Sequence, residues 1–232
     1  LALMSAAVRR ADRVISTGTG WRRRFLERWG VPEDRVCVIE NGTALLKLLD
    51  RGDLRCFGAD EPSGSAATLV YVGGFDPWHG ISVLLKAVVN ARHAGAQLRV
   101  VLICSGFGLD DAKELVTKLD LAGVVEFTGQ LPHEAIAGCL SRADIGLSPY
   151  CGWNEYSGLK LFDYKAAGLP TIASGECGEP ATLAHGRTGW IVPPCDEMAL
   201  TEAILLLARD PGLRQRMGRA AREEAEEFHG WN

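Results

Sequence analysis

The chain has 232 residues, of which 47% are hydrophobic and 23% charged, so it has enough apolar residues for a large globular core. No apolar run reaches the roughly 18 residues that a membrane-spanning helix needs. With 25 basic and 29 acidic residues the net charge is −4, which disfavours a nucleic-acid-binding function.

Strands and helices alternate along the chain. The predicted strands are 13–16, 35–40, 68–72, 98–104, 124–127, 145–148, 171–173 and 189–192. The predicted helices are 19–29, 80–94, 110–119, 133–141, one that follows the Ser157-Gly158 step and stops at Gly168, a short helical turn near Ala181, 196–208 and 211–228. Strands that are apolar throughout and separated by helices of this length predict an α/β fold with a Rossmann-like, doubly wound parallel sheet.

In such a sheet the ligand lies at the carboxyl ends of the strands. Gly73-Gly74 directly follows one predicted strand, and Gly158 follows the strand 145–148 and its loop. Both glycine sites are therefore expected on the same edge of the sheet. A Ser-Gly step that leads into a helix also offers free backbone N–H groups, which suit an anion such as a diphosphate.

Two acids frame that step with seven residues between them, Glu155 and Asp163. They stand a little over two helical turns apart, so the first can face a ligand at the loop while the second lies further along the same side. The pattern alone is equally compatible with an amphipathic helix that carries two solvated acids.

The E-x7-D pattern resembles the E-x7-E motif of retaining glycosyltransferases of family 4, which have the GT-B fold. Ordered matches extend the resemblance over about 220 positions. They include YVGGFDPWHGISVLL from Tyr71, VEFTGQLP from Val125, ADIGLSP from Ala143, GRTGWIV from Gly186, ADRVIS from Ala11 and VIENG from Val38.

Carried over by position, the resemblance implies a role for each matched residue. Glu155 would lie at the transferred sugar and act as the catalytic residue, and Asp163 would accept hydrogen bonds from the nucleotide ribose. Ser157, Gly158 and Leu159 would offer backbone N–H groups to the phosphates. The remaining donor-binding residues are then Gly73, Gly74, His79, Leu131 (in the segment beside the nucleobase) and Lys160.

Two departures from the family pattern bear on the diphosphate. The family usually has Arg at the position of Gly74 and Lys at that of His79. We expect His79 to hydrogen-bond a phosphate and Lys160 to supply the missing positive charge, although a helix-start histidine and a solvated helix lysine are the plain alternatives.

The resemblance implies three segments. Residues 1–45 would be a remnant of the acceptor domain with the interdomain crossing, residues 46–66 a linker, and residues 67–232 the donor-binding domain. The chain would then be a fragment that supplies the donor-binding half of a longer enzyme.

The implied reaction moves a sugar from a nucleotide diphosphate sugar to an acceptor hydroxyl with retention of configuration. No metal or other cofactor is expected, and the acceptor would be a glycan or a lipid-linked molecule bound through the missing domain. The alternatives are a non-catalytic sugar-nucleotide-binding or scaffold module, which the missing Arg and Lys favour, and a GT-B nucleotide-sugar epimerase.

The seven cysteines are scattered and form no C-x-x-C pair. We therefore expect buried, reduced thiols in a cytoplasmic protein and neither a disulfide framework nor a zinc site. The basic run Arg22-Arg23-Arg24 is expected to be the solvated face of a helix, with a weak peripheral contact to anionic lipid as the alternative.

Overall fold

The computed structural model describes residues 2–50, 66–152, 158–176 and 180–231. The amino-terminal part contains α1 (Ala2–Arg10), β1 (Val14–Ser16), α2 (Thr19–Glu27), a 3₁₀ turn (Glu33–Arg35) and β2 (Val36–Val38). The strands β1 and β2 pair in parallel. Trp29 and Val31 pack with Val14 and Val36 in a small apolar cluster of their own.

The rest of the chain forms a six-stranded parallel sheet in the order β5-β4-β3-β6-β7-β8. Its strands are β3 (Ala67–Gly74), β4 (Leu98–Ser105), β5 (Val125–Gly129), β6 (Ile145–Ser148), β7 (Thr171–Ser174) and β8 (Gly189–Val192). From β3 the chain proceeds outward through β4 and β5, then returns to place β6 on the other side of β3. The strand order therefore reverses between β3 and β6, and such a reversal opens a crevice at the carboxyl edge of the sheet.

Helices cover both faces of this sheet. They are α3 (Leu45–Leu49), α4 (Ile81–His93), α5 (Leu109–Lys118), α6 (His133–Leu140), α7 (Leu159–Ala166), α8 (Glu197–Arg209) and α9 (Pro211–Glu224), which continues as a π-helical turn (Ala225–His229). Along β3, Leu69 and Tyr71 join the cluster beneath α4 and α8, whereas Val70 joins the cluster beneath α6 and α7. Because successive strand residues point to opposite faces, a fully buried run such as Leu69-Val70-Tyr71 requires a sheet covered on both sides.

The predicted fold class is confirmed, and the elements differ from expectation in local ways. β3 continues through Gly73-Gly74, where a turn is predicted, and residues near Ala181 form a turn without a helix. α3 forms at the start of the predicted linker and packs against α6 and α7, with Leu45 buried. Residues 51–65 of that linker lie outside the described residues, and the division into three segments stays a prediction.

The prediction that the cysteines are reduced, buried thiols is wrong at three positions. Cys151 and Cys195 form a disulfide with their Cα atoms 4.8 Å apart, and Cys37 is exposed. Cys139 is a free, buried thiol as expected. The backbone N–H groups of the paired cysteines donate to Trp78 O and Tyr150 O, so the disulfide joins segments that already touch. Cysteine spacing carried no sign of this pairing, because the two positions lie 44 residues apart and meet only through the sheet topology.

Within the described ranges, no helix combines the length and the apolar character that crossing a bilayer requires.

Candidate functional site

The site is built on the carboxyl end of β3. Gly73 has a φ of +150°, a backbone conformation that residues with a Cβ rarely adopt. A Cβ there would lie 3.0 Å from Tyr71 Oη and 3.2 Å from Lys160 Cε, so the glycine also makes room for two neighbours. Tyr71 Oη donates to the carbonyl of Gly74 at 2.7 Å. Gly73 and Gly74, called the glycine strip below, therefore form a stretch of backbone without side chains at the point where the strand order reverses.

The 3₁₀ turn that follows this strip fixes the orientation of His79. Asp76 caps the turn, and its backbone N–H donates to His79 Nδ1 at 3.2 Å. Because Nδ1 accepts this bond, the ring proton of the neutral imidazole resides on Nε2. The ring meets Tyr150 edge to face, with centroids 5.3 Å apart. In the neutral ring, Nε2 is therefore the donor atom.

Lys160 reaches the same place from the first turn of α7. Its Nζ donates to Tyr150 Oη at 3.2 Å and lies 5.0 Å and 5.5 Å from the ring centroids of Tyr150 and Tyr71. An ammonium at such distances from aromatic faces is attracted by the ring quadrupoles. The structure therefore brings both Lys160 and His79 against Tyr150, beside Gly73 and Gly74.

Gly158 is the N-cap residue of α7, which begins with Leu159. Gly158 is buried, whereas the Leu159 side chain is 62% exposed. A glycine cap has no side chain to occupy the N–H groups of the first helical turn. Glu155 and Ser157, the two other loop residues of the predicted site, lie outside the described residues.

Asp163 lies three residues beyond Lys160, on the same side of α7. Its Oδ1 accepts a 2.6 Å hydrogen bond from Thr43 Oγ1. Burial raises the pKa of the Asp163 carboxyl above its ordinary value, while the Thr43 bond and the electrostatic interaction with His133 act in the opposite direction. Leu131, after the end of β5, packs against the apolar cluster beneath α6 and α7.

The structure thus gathers Gly73, Gly74, His79 and Lys160 into one cluster, with Gly158, Leu159 and Asp163 along α7 next to it. Sequence reasoning missed Tyr150, which contacts both His79 and Lys160, and Thr43, which holds Asp163. Neither residue lies in one of the segments on which the family resemblance was based. Among the described residues, no group of three histidine, cysteine or acidic side chains converges as metal ligands.

A doubly wound sheet with glycine backbone at the strand-order reversal is typical of α/β proteins that bind a ligand at the carboxyl edge of the sheet. The chain belongs to the family described as glycosyl transferases group 1, whose profile matches residues 59–224. The predicted resemblance and the GT-B relationship are thereby confirmed.

Three relatives illustrate the similarity. The chain is 29% identical over 240 residues to a D-inositol 3-phosphate glycosyltransferase of Streptomyces avermitilis, covering 96% of this chain and 49% of the relative. It is 26% identical over 230 residues to a glycogen synthase of Mycobacterium tuberculosis, covering 99% and 53%. Among solved structures, a sucrose-phosphate synthase of Thermosynechococcus elongatus matches with a TM-score of 0.80 at 29% identity, covering 99% of this chain and 57% of that one. The chain spans about half the length of the curated relatives it matches.

Proposed function

We propose that this chain is the donor-binding half of a glycosyltransferase that moves a sugar from a nucleoside diphosphate sugar to an acceptor hydroxyl with retention of configuration. The observation that carries the proposal is that Lys160 and His79 both contact Tyr150 beside Gly73 and Gly74, at the strand-order reversal. Family membership and the enzymatic names of the relatives support it.

The diphosphate would lie over the glycine strip. There it would meet the Lys160 ammonium, the Nε2–H of His79 and the N–H groups at the start of α7, near Gly158 and Leu159. A cation, a ring N–H donor and a helix N-terminus are all favourable partners for phosphate oxygens. Negative charge on the departing diphosphate rises during transfer, so donors fixed in advance stabilise the transition state more than the ground state.

The remaining roles follow from position. Asp163 would accept from the ribose hydroxyls, and Leu131 would lie beside the base. Glu155, assigned from the sequence alone, would orient the sugar, with Ser157 in the same loop. The proposed reaction needs neither a metal nor a covalent intermediate, because the side chains and helix terminus provide the charge stabilisation. A glycan or lipid-linked acceptor, a cytoplasmic location and a weak peripheral membrane contact belong to the proposal as predictions.

A non-catalytic sugar-nucleotide-binding module is the second candidate, and Gly74 favours it because the family usually has Arg there. Nucleotide binding is common to both candidates, whereas sugar transfer by the full-length protein belongs to the enzyme alone. Transfer assays on the full-length protein therefore separate them.

The donor site is tested by calorimetric titration of the chain with UDP, GDP and ADP and with their glucose conjugates. We expect saturable binding of one nucleotide, weakened by Asp163→Ala, and altered recognition of its glucose conjugate in Glu155→Ala. The matched control is Asp110→Ala, which removes an exposed carboxylate from the first turn of α5. A folded chain that binds none of the six compounds would contradict the proposal.

A further inference from the structure

Thr43 is buried where its own segment contacts α7 and the carboxyl-terminal residues. Its Oγ1 donates to Asp163 Oδ1 at 2.6 Å and accepts from the N–H of Leu45 at 2.9 Å. Its backbone N–H donates to His229 O at 2.8 Å, and its carbonyl accepts from the N–H of Trp231 at 3.2 Å. The residue is 3% exposed. Every polar group of Thr43 is therefore engaged, and its hydroxyl cannot turn away from Asp163 without losing a bond.

This arrangement constrains the Asp163 carboxylate. An ionised carboxylate can only accept, so the Thr43 hydroxyl proton points at Asp163 Oδ1 while the Leu45 N–H donates to a lone pair of Oγ1. The other carboxylate oxygen accepts no hydrogen bond from the described residues. A short bond to one oxygen restrains the carboxylate and leaves the second oxygen as the acceptor for a ligand hydroxyl.

Thr43 also acts on the ionisation of the Asp163 carboxyl, whose pKa burial raises. Burial disfavours the ionised carboxyl, and the hydrogen bond from Thr43 opposes that effect. An ionised carboxylate accepts hydrogen bonds through both oxygens, which is what a hydroxyl-bearing ligand requires. Thr43 lies 120 residues from Asp163 in the sequence, in the segment that crosses between the two β-sheets.

We propose that Thr43 is a positioning residue for ribose recognition, which acts by fixing Asp163 so that one carboxylate oxygen accepts from the 2′,3′-diol of the nucleotide. The inference rests on the proposed donor-binding function and deepens it by assigning the diol to a Thr43–Asp163 pair. Thr43 itself touches no ligand atom in this scheme.

The test compares each of UDP, GDP and ADP with its 2′,3′-dideoxy counterpart by calorimetric titration of the chain. Thr43→Val removes the hydroxyl at nearly constant volume, and Thr43→Ser, the matched control, keeps it. We expect the wild type to prefer the diol form by about tenfold or more, which is the value of one charged hydrogen bond. Thr43→Val should lose most of that preference with dideoxy affinity unchanged, and Thr43→Ser should retain it.

Other outcomes overturn the inference in distinguishable ways. Equal weakening of both ligand forms in Thr43→Val would show a structural role only, and an unchanged preference would show that Thr43 has no part in diol recognition. A folded wild type that binds no nucleotide would remove the proposed function, and this inference with it. If thermal melting shows that Thr43→Val does not fold, Thr43→Cys replaces it, because a thiol of similar size is a weak donor.

Discussion

Gly146→Ala is a one-methyl change in the middle of β6, at a position where the structure leaves no room. Gly146 pairs with Val70 of β3 and Thr171 of β7. A Cβ there would lie 2.6 Å from Tyr164 Cδ2 and 2.7 Å from Cγ. Tyr164 is fully buried, and its hydroxyl accepts from the N–H of Val72 at 2.9 Å and donates to Leu147 O at 3.1 Å.

The expected cost follows from these distances. The new methyl stands about 0.8 Å inside the 3.4 Å at which ordinary contact begins, so the Tyr164 ring must shift within a closed core. Overpacking of this kind costs about 1–3 kcal/mol. A ring shift also weakens two hydrogen bonds, each worth about 0.5–1.5 kcal/mol. We expect a loss of about 2–5 kcal/mol in the free energy of unfolding, which for a chain of this size lowers Tm by about 2–4 °C per kcal/mol.

Urea unfolding monitored by circular dichroism measures this loss, with thermal melting as a second readout. Gly123→Ala is the matched control, since Gly123 has an ordinary φ and no atom within 4 Å of an added Cβ. In the double variant Gly146→Ala/Tyr164→Leu, the smaller side chain at position 164 should relieve the clash. The double variant should therefore lose less free energy of unfolding than the two single variants lose together. A Gly146→Ala variant as stable as the Gly123→Ala control would refute the packing argument.

Three further predictions concern the site and its surroundings. Lys160→Met should weaken nucleoside diphosphate binding about tenfold or more in calorimetry, while Lys86→Met, on an exposed position of α4, should bind like the wild type. The pKa of Asp163 is raised, and its ionised form accepts hydrogen bonds from the ribose, so nucleotide affinity should begin to fall on acidification at a pH above the ordinary aspartate range. Asp163→Asn should lose this acid-side fall in affinity. A variant with the same pH profile as the wild type would contradict the prediction. Peptide mapping without reductant should recover a Cys151–Cys195 cross-link, and its reduction should lower the free energy of unfolding by at most about 4 kcal/mol for a 44-residue separation; separate peptides would contradict the pairing.

Much of the fold was predictable because its strands are short apolar runs bounded by glycines and charged helices. The helix α3 was missed since five residues of Leu-Leu-Lys-Leu-Leu form no stable helix alone. Its order depends on packing against α6 and α7, which buries Leu45. The extension of β3 through Gly73-Gly74 was missed for a similar reason. Local propensity places a turn at two glycines, whereas pairing with Cys104 and Ser105 of β4 keeps them in the sheet.

Site residues within a motif were predictable from the sequence. Site residues that meet only through the packing of distant segments were not. Lys160 follows from its place at the start of a helix that faces the glycine edge. Tyr150 does not, because its contacts with His79 and Lys160 arise only when β6 lies beside β3. The Thr43–Asp163 bond likewise depends on tertiary structure, since the two residues belong to segments 120 positions apart.

The surroundings of Gly74 indicate how the proposed site can bind a diphosphate without the usual arginine at that position. A Cβ on Gly74 would lie 3.3 Å from Asp76 Oδ2 and 3.5 Å from His79 Cε1, so a longer side chain would compete for the space that the Asp76–His79 turn occupies. Asp76 instead caps that turn and holds the His79 ring through Nδ1. His79 then offers its Nε2–H as a donor, and a positive charge comes from Lys160, whose Nζ lies over the Tyr150 and Tyr71 rings. Because the Lys160 ammonium adds a full positive charge to its phosphate contact, Lys160→Met should reduce nucleotide affinity more than His79→Phe. The reverse order would assign the main phosphate contact to His79.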